Sequence, residues 1–122
     1  MDLDLLLCVM AEIHEWEIEH HPALQTMVGR SLYFRIVHAH LNDHQFNKAS
    51  LKQLIYPDVA TERGIRLRIR EFEKLGLIGI ELNTSDKRTK KIMPTDKFLD
   101  LVSAHQRQVR LIFQKRFIVL DV

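Results

Sequence analysis

The chain has few of the residues that build disulfides, nucleotide loops and flexible linkers. Its 122 residues include one cysteine, four glycines and three prolines. The single cysteine, Cys8, excludes an internal disulfide framework and a multi-cysteine metal site, so a reducing, cytoplasmic setting is expected. So few glycines leave no phosphate-cradling loop of the type G-x-G-x-x-G or G-x-x-x-x-G-K-S/T, and nucleotide chemistry is not expected.

Long hydrophobic runs and catalytic signatures are also missing. No apolar run approaches the roughly 20 residues that span a bilayer. Asp2 and Asp4 stand where a secretory signal needs positive charge, so neither a membrane nor a secretory pathway is expected. No Ser-His-Asp, Cys-His or paired-carboxylate arrangement stands out from scattered polar residues. The sequence therefore predicts a protein without catalytic residues, cofactor or enzymatic activity.

The overall charge is nearly balanced, but its distribution is not. A chain of 14.4 kDa with 46% hydrophobic and 28% charged residues has the size and composition of one globular domain. Residues 1–60 carry 4 basic and 8 acidic side chains, whereas residues 61–122 carry 14 basic and 8 acidic ones. This asymmetry favours an anionic partner for the C-terminal half only.

Hydrophobic periodicity predicts a mainly helical chain with one small hairpin. Residues 2–20 form an amphipathic helix that includes an acidic run at 15–19, and residues 22–42 form a second helix with Pro22 at its first position. Ser50, with Gln53 three residues later, opens a short helix. Thr61 caps a helix that ends before Gly76, and strands follow at 77–82 and 90–93. A final helix begins after Thr95.

The helix after Thr61 has two distinct faces. Ile65, Ile69 and Phe72 recur at helical spacing and predict a core-facing side. The opposite side collects Arg63, Arg66, Leu67, Arg70 and Lys74. The hairpin tip and returning strand add Lys87, Arg88, Lys90 and Lys91. A short helix, a basic helix and a basic hairpin in this order are typical of a helix-turn-helix with a wing. The alternative is that both charged segments are solvated surface.

Two segments resemble a known family. Residues 50–78, SLKQLIYPDVATERGIRLRIREFEKLGLI, are similar to the helix-turn-helix of MarR-type winged-helix transcriptional regulators, and residues 86–95, DKRTKKIMPT, are similar to their wing. The resemblance implies one winged-helix domain over residues 1–122, mainly α with a small β-hairpin wing. Within it, residues 45–95 form the helix-turn-helix and wing, and residues 1–20 and 96–122 form flanking dimerisation helices.

The resemblance also implies a function and a set of DNA-binding residues. It implies a homodimeric regulator that binds double-stranded DNA in a sequence-specific way. Arg88 would enter the minor groove, and Lys87 and Lys90 flank it in the wing. The recognition-helix positions are Thr61, Arg63, Arg66, Leu67 and Arg70, and the phosphate-contacting positions are Ser50 and Lys52. A winged helix that binds another protein and no DNA is the alternative.

The N-terminal and C-terminal segments allow more than one interpretation of dimerisation and of effector sensing. Apolar stripes at Leu3, Leu6, Leu7 and Met10, and at Val109, Ile112, Phe113, Phe117 and Ile118, provide a dimer surface or pack within the monomer. Six of the seven histidines fall in residues 14–44. Without a tight ligand motif, they indicate solvated or capping side chains, with a metal site as the alternative.

Two further sensors follow from the family resemblance. Residues 3–8 resemble the start of the family's hydroperoxide-sensing branch, in which an N-terminal cysteine is oxidised. A lone cysteine on an apolar helix is, however, more often a small buried hydrophobic residue. The resemblance also implies a small-molecule effector that would bind between the dimer helices and the winged helix.

Overall fold

A computed structural model describes residues 3–42, 61–82 and 90–117 of the chain, and for Leu82 and Lys90 it describes the backbone alone. Its α-helices are α1 (Leu3–His20), α2 (Met27–Leu41), α3 (Glu62–Lys74) and α4 (Asp96–Arg116). A 3₁₀ turn spans Pro22–Leu24, and the strands are β1 (Ile78–Leu82) and β2 (Lys90–Pro94). The predicted short helix that begins at Ser50 lies outside the described residues. Within them, a mainly helical fold with one small hairpin is confirmed.

The second helix begins later than its apolar pattern predicts. Pro22 does occupy a first helical position, but in the 3₁₀ turn; α2 starts afresh after Thr26, whose Oγ1 accepts a hydrogen bond from the N–H of Gly29 at 3.0 Å. A Cβ on Gly29 would lie 2.7 Å from the carbonyl oxygen of Ala23. The prediction of one helix over 22–42 is therefore wrong, because the chain turns back closely on itself before α2 begins.

The two strands form an antiparallel pair, as the sequence predicts. Ile80 of β1 lies opposite Ile92 of β2, and Glu81 lies opposite Lys91. Opposite charges on directly paired residues favour this register. The hairpin directly follows α3, and its position is compatible with a wing. Residues 83–89, which include Lys87 and Arg88, lie outside the described part of the chain.

One apolar cluster joins α2, α3, the hairpin and the start of α4. Tyr33 and Leu32 of α2, and Phe98 of α4, are at most 1% exposed. The buried members are Ala23, Leu24, Leu32, Tyr33, Ile36, Ala39, Ile65, Ile69, Phe72, Leu77, Ile78, Ile92 and Phe98. Burial of so many large side chains supplies the main stabilising free energy, at roughly 25 cal/mol per Å² of apolar surface.

A glycine turn connects α3 to β1. Gly76 adopts a positive φ of 75°, its N–H donates to the carbonyl of Glu73, and the N–H of Leu77 donates to the carbonyl of Phe72. These two bonds define a Schellman motif, in which glycine takes the left-handed conformation without a steric penalty. The buried pair Phe72 and Leu77 accompanies it. These contacts therefore define the residue at which α3 ends.

The start of α4 is attached to the same turn. The Thr95 hydroxyl donates to the carbonyl of Gly76 at 2.6 Å, and its oxygen accepts from the N–H of Phe98 at 3.3 Å. The ammonium of Lys97 donates to the carbonyl of Leu75 at 2.6 Å. The predicted helix cap at Thr95 is confirmed, and it also holds the C-terminal end of α3.

Helix α1 lies outside this apolar cluster and runs antiparallel to α4. Glu17 contacts His105, whereas Glu12, nearer the start of α1, contacts Arg116 near the end of α4. Val9 and Glu17 are the buried residues of α1. A buried carboxylate within the acidic run is a feature that helical periodicity does not indicate. The bounds of α1 agree with the predicted helix over 2–20.

Replacing Gly76 by alanine should lower the free energy of unfolding by about 1 kcal/mol, because an L-residue is strained at this φ. The added methyl itself has room, since its nearest neighbour would be the Lys97 side chain at 3.9 Å. Gly64→Ala is the matched control: Gly64 lies in α3 with space for a Cβ, so alanine should stabilise the protein by up to about 1 kcal/mol. Urea denaturation measures the free energy of unfolding of both variants. If both substitutions raised it, or both lowered it, the positive φ assigned to Gly76 would be contradicted.

Candidate nucleic-acid interface

Helix α3 presents the face that the sequence predicts. Ile65, Ile69 and Phe72 are between 2% and 6% exposed and belong to the apolar cluster. The five recognition-helix candidates, in contrast, are all exposed; they are Thr61, Arg63, Arg66, Leu67 and Arg70. The two faces of α3 are therefore separated as predicted, while the DNA-binding role of the exposed residues stays a prediction.

Both ends of this helix are held in place. The Thr61 hydroxyl oxygen accepts a hydrogen bond from the N–H of Gly64 at 3.1 Å, which satisfies one of the unpaired donors of the first turn. The predicted cap at Thr61 is confirmed. With 13 residues, α3 is about 20 Å long. A helix of this length, fixed at both ends, presents its exposed side chains in one stable direction.

The arginines of α3 differ in their surroundings. Arg68, which the sequence does not place among the DNA-binding residues, forms an ion pair with Glu71 one turn later. Arg63, Arg66 and Arg70 occupy positions i, i+3 and i+7 and so follow one another along one side of the helix. Their spacing forms a line of cationic groups parallel to the helix axis.

The remaining predicted DNA contacts fall where the structure gives less detail. Ser50, Lys52, Lys87 and Arg88 lie outside the described residues. For Lys90, the structure describes the backbone, which pairs with Leu82 at the outer end of the hairpin. The hairpin therefore leads away from the α3 turn toward the residues predicted to form the wing tip.

Five of the N-terminal histidines agree with the expectation of solvated or capping side chains. His14, His20, His38 and His40 are exposed, but His21 is fully buried and accepts a hydrogen bond from the N–H of Ala23, as a capping residue does. Within the described ranges, no three His, Cys, Asp or Glu side chains converge as a metal site requires. His44 lies outside these ranges.

Cys8 is exposed on α1, so the expectation of a small buried hydrophobic residue is wrong. The redox interpretation of Cys8 stays a prediction, because a solvent-exposed thiol is a requirement for oxidation and not a sign of it. None of the helices in the described part is long and apolar enough to span a bilayer.

A groove with a volume of about 910 Å³ lies between α2 and α4. Its lining includes the aromatic rings of Tyr33 and Phe34 on one side and Val109, Arg107 and Arg110 on the other. Mixed aromatic and cationic lining suits an amphipathic small molecule. Sequence periodicity could not indicate this groove, because it arises from the packing of two helices far apart in the chain.

Comparison of the sequence with known proteins does not assign the chain to a family. No protein-family model matches the chain, and no curated protein shows significant sequence similarity to it.

Replacing Thr61 by alanine should lower the free energy of unfolding by about 1 kcal/mol, because the N–H of Gly64 loses its acceptor. Thr61→Ser keeps a hydroxyl at the same position and should leave stability close to that of the original chain. Thermal or urea unfolding of the two variants checks this. Equal stability of the alanine and serine variants would show that the cap contributes nothing.

Proposed function

We propose that the chain is a sequence-specific, double-stranded DNA-binding transcriptional regulator that acts as a homodimer, with α3 in the major groove and the wing at 84–91 against the minor groove. The observation that carries the proposal is the division of α3 into a buried apolar face and an exposed face with Arg63, Arg66 and Arg70. A helix about 10–12 Å wide fits the major groove, where arginine can bond to guanine O6 and N7. No catalytic activity is part of this proposal, and the site of action is the cytoplasm.

The homodimer rests on exposed apolar side chains at one end of the molecule. Leu3, Leu7 and Met10 of α1 are between 56% and 71% exposed, and Leu111 of α4 is 57% exposed. Because α1 and α4 are antiparallel, the start of α1 lies beside the end of α4. A two-fold partner would cover these residues and place two α3 helices on half-sites one DNA turn apart.

Parts of the predicted apolar stripes serve the monomer instead. Ile112 is 7% exposed, so for this residue the alternative of packing within the monomer holds. Phe113 stacks on Phe117, with ring centroids 5.7 Å apart. Leu6 and Val109 are half-buried, and Ile118 lies outside the described residues. The proposed dimer surface therefore centres on the outward side of α1.

The effector in this proposal is a small molecule that binds the groove between α2 and α4. Its support is the shape of the groove and the two arginines, Arg107 and Arg110, in its lining. The groove has no α3 residue in its lining, so the proposed effector would bind at a site separate from the proposed DNA-binding face.

The alternative is a protein-interaction module in which the arginine face has no nucleic-acid partner. Salt dependence separates the two functions, because each phosphate contact gives a slope of about −0.9 in log affinity against log salt. A fourfold rise in salt should therefore cost about threefold in DNA affinity per contact. Affinity for duplex DNA that does not change with salt would favour the alternative.

Arg66→Ala should weaken binding to a preferred sequence by about 1–3 kcal/mol and relax the base preference at one position. The reason is the loss of hydrogen bonds to a base edge, which are additional to phosphate contacts. Arg107→Ala, which removes the same charge from the exposed surface of α4, is the control and should leave base preference unchanged. Fluorescence anisotropy with matched and mismatched duplexes measures both. An unaltered preference in Arg66→Ala would contradict the assigned role.

A further inference from the structure

Helix α1 is attached to the rest of the protein by two buried residues, the apolar Val9 and the charged Glu17. Among the described residues of α1, none belongs to the apolar cluster or to the half-buried hydrophobic residues packed against it. The side chain of Glu17 is 2% exposed and points between α2 and α4, where it has two partners. Trp16 beside it stacks on His105, with ring centroids 6.0 Å apart. The docking of α1 therefore includes a buried carboxylate whose hydrogen bonds come from two other helices.

A chain of hydrogen bonds connects three helices at this point. Arg30 of α2 donates to Glu17 Oε1 at 2.7 Å, and His105 Nε2 of α4 lies 2.7 Å from Glu17 Oε2. The hydroxyl of Tyr33 lies 2.9 Å from His105 Nδ1. One arrangement satisfies every atom: a neutral His105 donates from Nε2 to the carboxylate and accepts at Nδ1 from the Tyr33 hydroxyl.

The ring of His21 closes this group of residues. It lies edge-on to Tyr33 and His105, with ring centroids 4.6 Å and 5.1 Å away. Its Nδ1 accepts from the N–H of Ala23 at 3.3 Å, which fixes the 3₁₀ turn between α1 and α2. Its Nε2 is buried and has no hydrogen-bond partner among the described residues. We call Glu17, His21, Arg30, Tyr33 and His105 the polar latch.

The polar latch contains no unpaired carboxylate that could neutralise a protonated His21. The groups that face His21 are Glu17 from α1, Arg30 and Tyr33 from α2, and His105 from α4. The one carboxylate is already paired with Arg30. A proton on Nδ1 of His21 would bury a positive charge without a counterion and would also remove the acceptor for Ala23.

Burial lowers the pKa of His21 from 6.5 to about 4, although the charge of Glu17 opposes the shift. Burial also raises the pKa of the Tyr33 phenol above its ordinary value, so Tyr33 remains a donor. Because the pKa of His21 is lower when α1 is docked than when it is undocked, the undocked state binds a proton at a higher pH than the docked state does. The stabilisation is complete above pH 6.5 and is lost as the pH falls toward 4.

We propose that the polar latch makes α1 an acid-released helix: protonation of His21 undocks α1, while the apolar cluster that carries α3 stays folded. The geometry favours release of α1 over unfolding of the whole chain, because α1 and the cluster share few buried apolar contacts. Acid is the trigger because the neutral ring of His21 is enclosed by two other rings and by a carboxylate that is already paired with a guanidinium.

Hydrogen exchange on the full chain tests the proposal. After correction for intrinsic exchange rates, the opening equilibrium of α1 amides should rise about thirty-fold between pH 8 and pH 5, from the two pKa values of His21. Amides of α3 and β1 should change little. Trp16, the one tryptophan of the chain, reports the same event, since its emission should shift to the red as it leaves His105. Loss of protection in α1 and α3 together, or none in α1, would overturn the proposal.

Two variants assign the effect to His21. In His21→Asn the amide oxygen can accept from the N–H of Ala23 but cannot be protonated, so the opening of α1 should no longer depend on pH. We expect α1 to stay docked at both pH values, and an α1 that is open at both would contradict the role of a neutral acceptor at position 21. His14→Gln is the matched control, because His14 is an exposed histidine of α1 and its variant should keep the full response. A pH response in His21→Asn equal to that of the original chain would assign the proton elsewhere.

Discussion

The burial of Ile65, Ile69 and Phe72 is the constraint on which the candidate interface depends. These side chains lie on one side of α3 and are enclosed by the apolar cluster. Since helical geometry places Arg63, Arg66 and Arg70 on the other side, packing alone directs the arginines outward. Removing any of the three from the cluster would lower stability and also free α3 to rotate. The arginines of α3 form one outward cationic surface because the apolar face fixes their orientation, and the proposed function assigns DNA recognition to that surface.

The ends of α3 reinforce this orientation through backbone contacts. Thr61 closes the first turn, and Gly76 allows the chain to leave the helix directly into β1. The hydroxyl of Thr95 then joins the start of α4 to that same turn. As a result, the end of α3, the base of the hairpin and the first turn of α4 are joined to one another.

The two halves of the molecule are held together by different forces. Around α3, stability comes from apolar burial, which depends little on pH. Around α1, the buried contacts of Glu17 with Arg30 and His105 act beside the burial of Val9. Under the proposed release of α1, this difference lets the flanking helix undock while the helices around α3 keep their positions.

Local signals predicted much of this fold, whereas long-range contacts were beyond them. The bounds of α1, the strands, and the caps at Thr61 and Thr95 follow from periodicity and from side chains within a few residues of each other. The late start of α2 depends on the approach of Gly29 to Ala23, which no periodicity encodes. The polar latch joins residues up to 88 positions apart. A glutamate at position 17, within the acidic run at 15–19, gives no sign of a partner in α4.

Selection of bound duplexes from a random DNA pool tests the central claim most directly. If α3 reads bases as one half of a two-fold dimer, the enriched sequences should contain two related half-sites with centres about 10 base pairs apart. A bound pool with no enriched sequence, at a salt concentration where the protein still binds duplex DNA, would contradict sequence-specific recognition by α3.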